Sequence, residues 1–243
     1  MNIQGMNILV TGGASGMGRH FVLALAGLGA NVAFCDVNAD GVAAVQAEAA
    51  GLAGKVVGFT ANVADEGQVI ALISGAAAAL GPLNGLLNNA GIFRDGLLVK
   101  PDKDSGEIKK MSLKSWQQVI DVDLTGPFLL TREFAAHVIS SKTASSVVIN
   151  ISSIARHGNP GQSNYSAAKA GLIADTKLWS IELARYGVRT GAIAPGFIDT
   201  PILQGMRPEV LEGMLKPVPL RRVGKPEEVF AAVKFIIECD YFT

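Results

Sequence analysis

The 243-residue chain is 49% hydrophobic and 17% charged, and its 21 basic and 21 acidic side chains cancel to a net charge of zero. About three-quarters of the unfolded surface can be buried at this size, enough for a core without disulfide or metal staples. The neutral balance leaves no electrostatic footprint for nucleic acid or an anionic membrane, and no apolar run reaches transmembrane length. Cys35 and Cys239 form neither a disulfide framework nor a metal-type pair, and the start "MNIQGMNILVTGG" has no leader pattern. A reducing, cytoplasmic setting is expected.

The first buried strand, "MNILVTG", runs into the turn "TGGASGMGRH" and a helix predicted over 16–29. Gly12, Gly16 and Gly18, with Ser15 and Met17 between them, form a strand-to-helix turn where backbone amides and the helix dipole can meet a pyrophosphate. The spacing, G-x3-G-x-G, differs from the commoner G-x-G-x-x-G, and Arg19-His20 stands where an NTPase loop needs Lys-Ser/Thr. The second strand, "ANVAFCD", ends at Asp36, a carboxylate suited to both hydroxyls of an adenosine ribose and repulsive to a 2′-phosphate. With no basic residue at position 15 or 37, NAD(H) is expected over NADP(H). The same acid can also N-cap the helix predicted over 38–53.

Further strands follow in "KVVGFTANV", "LNGLLNNAG", "SSVVINISS" and "GVRTGAIAPG", with helices predicted over 65–80, 112–140 and 163–186. Strand–helix alternation with apolar strands predicts an α/β fold: a Rossmann-type, doubly wound parallel sheet, helices on both faces, in one domain over 1–243. Residues 100–110, "KPDKDSGEIKK", carry seven charges around an Asp-Ser-Gly turn and read as a solvated insertion, a small hairpin. The segment 197–224, beyond the strand ends, is expected as a lid over the ligand crevice. Its Met206, Leu211 and Met214 either line an apolar pocket or pack as an ordinary amphipathic helix. His20, His137 and His157 have no ligand spacing, so no metal site is expected.

"SNYSAAKAG" puts Tyr165 and Lys169 one helical turn apart on the same side. An ammonium held near a phenol lowers its pKa from about 10. Such a pair is either plain helix surface or a proton-transfer device. Together, "TGGASGMG", Asp36, "NNAG", "NISS", "YSAAK" and "PGFIDT" occur in an order that resembles the short-chain dehydrogenase/reductase family over about Met6 to Thr243. Through "GNPGQSNYSAAKAG" the chain looks most like the bacterial 3-oxoacyl-acyl-carrier-protein reductase branch.

The resemblance implies roles. Tyr165 is the general acid/base, and Lys169 lowers its pKa and holds the nicotinamide ribose. A serine after the fifth large strand hydrogen-bonds the substrate oxygen. The fourth residue of the N-x-x-S run is Ser153, whereas counting back thirteen from Tyr165 gives Ser152. Ser153 is preferred, because a strand position shifts less easily than a loop. Asn62 and Val63 fall beside the adenine, where the family usually has Asp-Val. Asn89, Ala90 and Gly91 fall beside ribose and nicotinamide, and Pro195, Gly196, Ile198 and Thr200 beside carboxamide and pyrophosphate. The long helices 112–140 and 163–186 imply a homodimer or homotetramer.

Two departures stand out. "VIDVDLTG" puts Asp123 where the family's active site has an asparagine; a carboxylate loses the amide donor and adds a charge near Lys169, with an altered pH optimum expected. The family usually continues past "ECDYFT" into a final strand and a Gly-rich tail, so a truncated end is expected. The leading function is an NAD(H)-dependent oxidoreductase interconverting a secondary alcohol and a ketone, of the 3-oxoacyl/3-hydroxyacyl thioester kind. Asp36 fits an oxidative role better than biosynthesis, which usually draws on NADPH. The alternatives are a cofactor-binding regulator with weak turnover, supported by Asp123 alone, and a hydroxysteroid or small-alcohol dehydrogenase.

Overall fold

The apolar strands pair into one sheet of six parallel strands. They are β1 (Asn7–Thr11), β2 (Asn31–Asp36), β3 (Val56–Thr60), β4 (Gly85–Asn88), β7 (Ser146–Ile151) and β8 (Val188–Ile193), in the spatial order β3-β2-β1-β4-β7-β8. The computed structural model describes residues 1–204 and 208–243. Strand order reverses between β1 and β4, which creates a crevice at their carboxyl ends.

Period-two alternation divides the strands between two cores. Ile8 and Val10 of β1 with Val32 and Phe34 of β2 face α1 (Gly16–Gly27), α2 (Ala39–Glu48) and α9 (Pro226–Glu238). Leu9, Ala33 and Cys35 face α3 (Glu66–Leu80) and α5 (Gly126–Ser141). Burial pushes the Cys35 thiol up to about 12, so it is an inert core residue. The charged insertion forms an exposed antiparallel hairpin, β5 (Val99–Pro101) with β6 (Ile108–Lys110). The Asp102 carboxylate accepts from the amides of Asp104 and Ser105 and shapes its turn.

The helix expected over 112–140 runs through, with a π-helical turn inside it. α4 (Leu113–Ile120) passes into a π-helical turn, Asp121–Thr125, before α5 begins. The cause is Pro127: it has no N–H to give the carbonyl of Asp123, and the Gly126 amide bonds back to Asp121 instead. α2 stops at Glu48, because the chain turns at Gly51 with φ 89°.

α6 (Ser163–Leu183) lies against β7 and β8. A buried polar ladder ties it down: the Asn88 amide donates to Thr131 Oγ1 and Asn150 Oδ1, and the Asn150 amide to Thr176 Oγ1, at 3.1, 2.8 and 2.8 Å. Two short helices, α7 (Pro201–Gln204) and α8 (Pro208–Leu215), follow β8. Among the described residues no helix is long and apolar enough to cross a membrane.

Candidate active site

A cleft of about 910 Å³ opens along the carboxyl ends of the strands. At one side stands the glycine turn. Gly12 adopts φ 65° and its α-carbon side lies against Ala90, where a Cβ would come within 2.9 Å of the neighbouring Cα. A Cβ at Gly18 would stand 2.0 Å from the Gly12 carbonyl oxygen, so only glycine lets α1 start this close to β1. Ser15 opens α1 without a side-chain cap, and its first turn has no acidic residue. The first amides of α1 are therefore available to an anion, as a dinucleotide's pyrophosphate requires. Gly12, Ser15, Gly16, Met17 and Gly18 all line the cleft.

Asp36 is half-buried on the same wall. Its carboxylate accepts from the amides of Ala14 and Asn38 at 3.2 and 3.1 Å, which locks the end of β2 to the glycine turn. It does not cap α2; Asn38 does, through the Gly41 amide. Asn62 and Val63 lie beside it, with the Asn62 side chain accepting from the Ala64 amide. Asn89 uses its amide to hold the carbonyls of Thr11 and Gly12, so it is a latch on the turn as well as a lining residue. Ala90, Gly91, Pro195, Gly196, Ile198 and Thr200 complete the wall.

Tyr165 and Lys169 come off the first turns of α6 and line the cleft, both nearly buried. The Lys169 ammonium lies 5.4 Å from the centre of the Tyr165 ring. Of the two serines, Ser153 interacts with the Tyr165 hydroxyl. Ser152 donates instead to the Lys169 carbonyl at 2.9 Å. Phe93 packs on the tyrosine ring, centroids 4.6 Å apart.

Asp123 is the one predicted site residue that does not reach the cleft. It is fully buried in the π turn, with Oδ1 accepting from the Ile92 amide at 2.9 Å and Oδ2 3.2 Å from Lys169 Nζ. Lys169 Nζ also donates to the Ile151 carbonyl at 3.1 Å. Burial raises the Asp123 pKa above the usual carboxylate range, with the Lys169 charge and the Ile92 amide pulling it back.

The electrostatics of Tyr165 differ from the expectation that Lys169 depresses its pKa. Burial, and then the Asp123 charge, raise it above the usual phenol value, and the Ser153 hydroxyl opposes them. The lysine cannot act as a lone cation, because its partner carboxylate is already beside it.

Other residues at the site went unread in the sequence. Asn164 is buried and pins the start of α6, its amide donating to the carbonyls of Arg94 and Ser115. Asp95 accepts from the Gln162 amide at 3.0 Å at the rim. Their signals were position alone: Asn164 precedes Tyr165, and Phe93 and Asp95 follow "NNAGI". Of the apolar residues expected in the lid, Met214 lines the cleft, and Met206 lies outside the described residues.

A family model described as short chain dehydrogenase matches residues 6–210. The chain belongs to the short-chain dehydrogenase family. Its members bind a nicotinamide cofactor, and the uncapped α1 start and the glycine contacts fit one here. Among its relatives is 3-oxoacyl-[acyl-carrier-protein] reductase FabG of Thermotoga maritima, 38% identical over all of this chain and 95% of the relative. A 3-oxoacyl-[acyl-carrier-protein] reductase of Synechocystis sp. is 41% identical over 94% of this chain and 87% of the relative. The (3R)-3-hydroxyacyl-CoA dehydrogenase of Canis lupus familiaris is 37% identical, over 96% and 89%. The short-chain dehydrogenase described here is accordingly an oxidoreductase acting on CH–OH groups.

Proposed function

We propose that this enzyme interconverts 3-oxoacyl and 3-hydroxyacyl thioesters with NAD(H). The observation that carries the reading is that Tyr165, Ser153 and Lys169 share one cleft with the glycine turn and Asp36. In reduction Tyr165 gives its phenolic proton to the substrate oxygen, while Ser153 hydrogen-bonds that oxygen as charge develops on it. When bound, a nicotinamide supplies the hydride to the carbonyl carbon, or takes it back in oxidation. Lys169 holds the nicotinamide ribose and orients it. The glycine turn and α1 amides hold the pyrophosphate. Asn62, Val63, Ala90, Gly91 and the 195–200 stretch enclose the remainder.

NAD(H) preference rests on Asp36, a carboxylate oriented by two amides where a 2′-phosphate would otherwise lie. Arg19 of α1 is paired with Glu48. The acyl chain has an apolar wall in Phe93, Ile154, Phe197 and Met214, and the segment carrying the last two serves as a lid. Apolar residues exposed on α5 and α6, Phe128, Ile139, Leu178 and Ile181, support a homo-oligomer through these helices, which light scattering tests.

The test follows NADH and NADPH absorbance with 3-oxoacyl thioesters, 3-hydroxyacyl thioesters, steroids and simple secondary alcohols. The reading expects the highest kcat/KM for a thioester with NAD(H). A steroid preference overturns the substrate, and a higher kcat/KM with NADPH overturns the cofactor. Loss of turnover in Tyr165→Phe with cofactor binding kept supports the assigned acid/base.

A further inference from the structure

We propose that Asp123 is a positioning residue that holds the Lys169 ammonium as a buried neutral pair, cancelling its charge and keeping Tyr165 a proton donor. The inference rests on the acid/base reading of Tyr165 and deepens it.

The geometry is specific. Asp123 Oδ1 is fixed by the Ile92 amide, and Oδ2, which makes no aligned hydrogen bond, lies within ion-pair distance of Lys169 Nζ at 3.2 Å. Both side chains are nearly or fully buried, so water does not screen the pair. The ammonium also donates to the Ile151 carbonyl at 3.1 Å. Gly91 closes the remaining side: a Cβ there would stand 2.8 Å from Asp123 Oδ2 and 3.5 Å from Lys169 Nζ. Asp123 lies in the π turn, which packs against α6.

The groups that act on the Tyr165 phenol are now defined by element. The π turn contributes Asp123, the loop after β4 contributes Asp95, α6 contributes Lys169, and the start of the helical turn after β7 contributes the Ser153 hydroxyl. Two anions act on the phenol, and one cation lies 5.4 Å from its ring centre. With Asp123 matched to Lys169, no net positive charge remains to favour phenolate. Carbonyl reduction needs the phenol protonated, and alcohol oxidation needs the phenolate. The pair thus places the full rate of reduction across neutral pH and moves the rise of oxidation to more alkaline pH. The reaction's equilibrium is untouched.

Tyrosinate absorbance of the cofactor-free protein tests this directly. The chain has three tyrosines, and Tyr165→Phe assigns the band of the buried one. In Asp123→Asn the Tyr165 midpoint should fall by about one pH unit or more relative to wild type. Asp123→Ser, which removes the same charge with a smaller side chain, should do likewise and covers the case of an asparagine variant that fails to fold. In the holoenzyme the alkaline limb of the oxidation profile should move to lower pH by a similar amount. A purely structural role would lower kcat at every pH and leave the limb where it was. Equal Tyr165 midpoints in wild type and both variants overturn the proposal. The titration needs neither substrate nor cofactor, so it stands apart from a failure of the thioester assignment.

Discussion

Replacing Gly18 with alanine sets two effects of opposite sign against each other. Gly18 lies in the first turn of α1, where alanine favours the helix by about 1 kcal/mol over glycine. The new Cβ, however, would stand 2.0 Å from the Gly12 carbonyl oxygen and 2.5 Å from Asn89 Nδ2. Both are far inside contact distance, and the first is rigid backbone. α1 must therefore move away from β1, and the Asn89 bond to the Gly12 carbonyl, already 3.3 Å, is the first to break. Overpacking of this kind costs about 1–3 kcal/mol and the hydrogen bond about 1 kcal/mol more, so the clash outweighs the helix gain. A net loss of about 1–3 kcal/mol lowers the melting temperature by roughly 3–10 °C in a chain of this length. Displacement of the α1 amides also weakens dinucleotide binding about tenfold or more. Thermal melts and titration of NADH fluorescence measure both. A melting temperature and Kd equal to wild type would falsify the claim that this glycine sets the α1–β1 approach.

Three further predictions follow from the same geometry. Asp36→Ser combined with Val37→Arg should remove the repulsive carboxylate, supply a cation, and raise the NADPH-to-NADH ratio of kcat/KM by at least about tenfold; an unchanged ratio would count against Asp36 as the selecting group. Asn150→Leu should destabilise the fold by about 1–3 kcal/mol in urea melts, because one buried Asn88 N–H loses its acceptor and Thr176 Oγ1 loses its donor, leaving them only Thr131 and the Leu172 carbonyl. Glu228, which accepts from Arg222 and the Lys225 amide, has its pKa lowered to about 2. A carboxylate depressed in the folded state contributes stability above its unfolded pKa of about 4.5 and loses it as pH falls through about 2. Glu228→Gln should therefore melt lower than wild type at neutral pH, with the gap closing on acidification across that window.

The sheet was legible because its strands are short apolar runs ending in turns, and the cradle because strand, glycine turn and helix follow one another in sequence. Tyr165 and Lys169 were legible as a pair because helical spacing alone brings them together. What pattern could not supply was the environment of that pair. Asp123 is 46 residues from Lys169 in the chain, yet the two meet in the structure. The reason is tertiary: the π turn that carries Asp123 packs against α6, a contact that apolar periodicity does not encode. The Asn88–Asn150–Thr176 ladder is hidden in the same way, since each member looks like an ordinary polar residue until the fold removes it from water.

The buried pair also changes what a lysine substitution can report. Removing Lys169 alone leaves Asp123 fully buried with only the Ile92 amide as partner. Stranding one member of a buried ion pair costs about 3–5 kcal/mol, unless the carboxyl takes up a proton, which its raised pKa already favours. Lys169→Met should therefore lose both activity and stability, and its stability deficit should grow as pH rises through the Asp123 pKa of the variant, where the unpaired carboxyl must ionise. Adding Asp123→Asn removes that charge. The double variant should regain most of the lost stability while activity stays low, and the remaining defect then belongs to the ribose-holding role proposed for the lysine. A double variant no more stable than Lys169→Met, at every pH, would mean that the 3.2 Å contact contributes nothing to the fold.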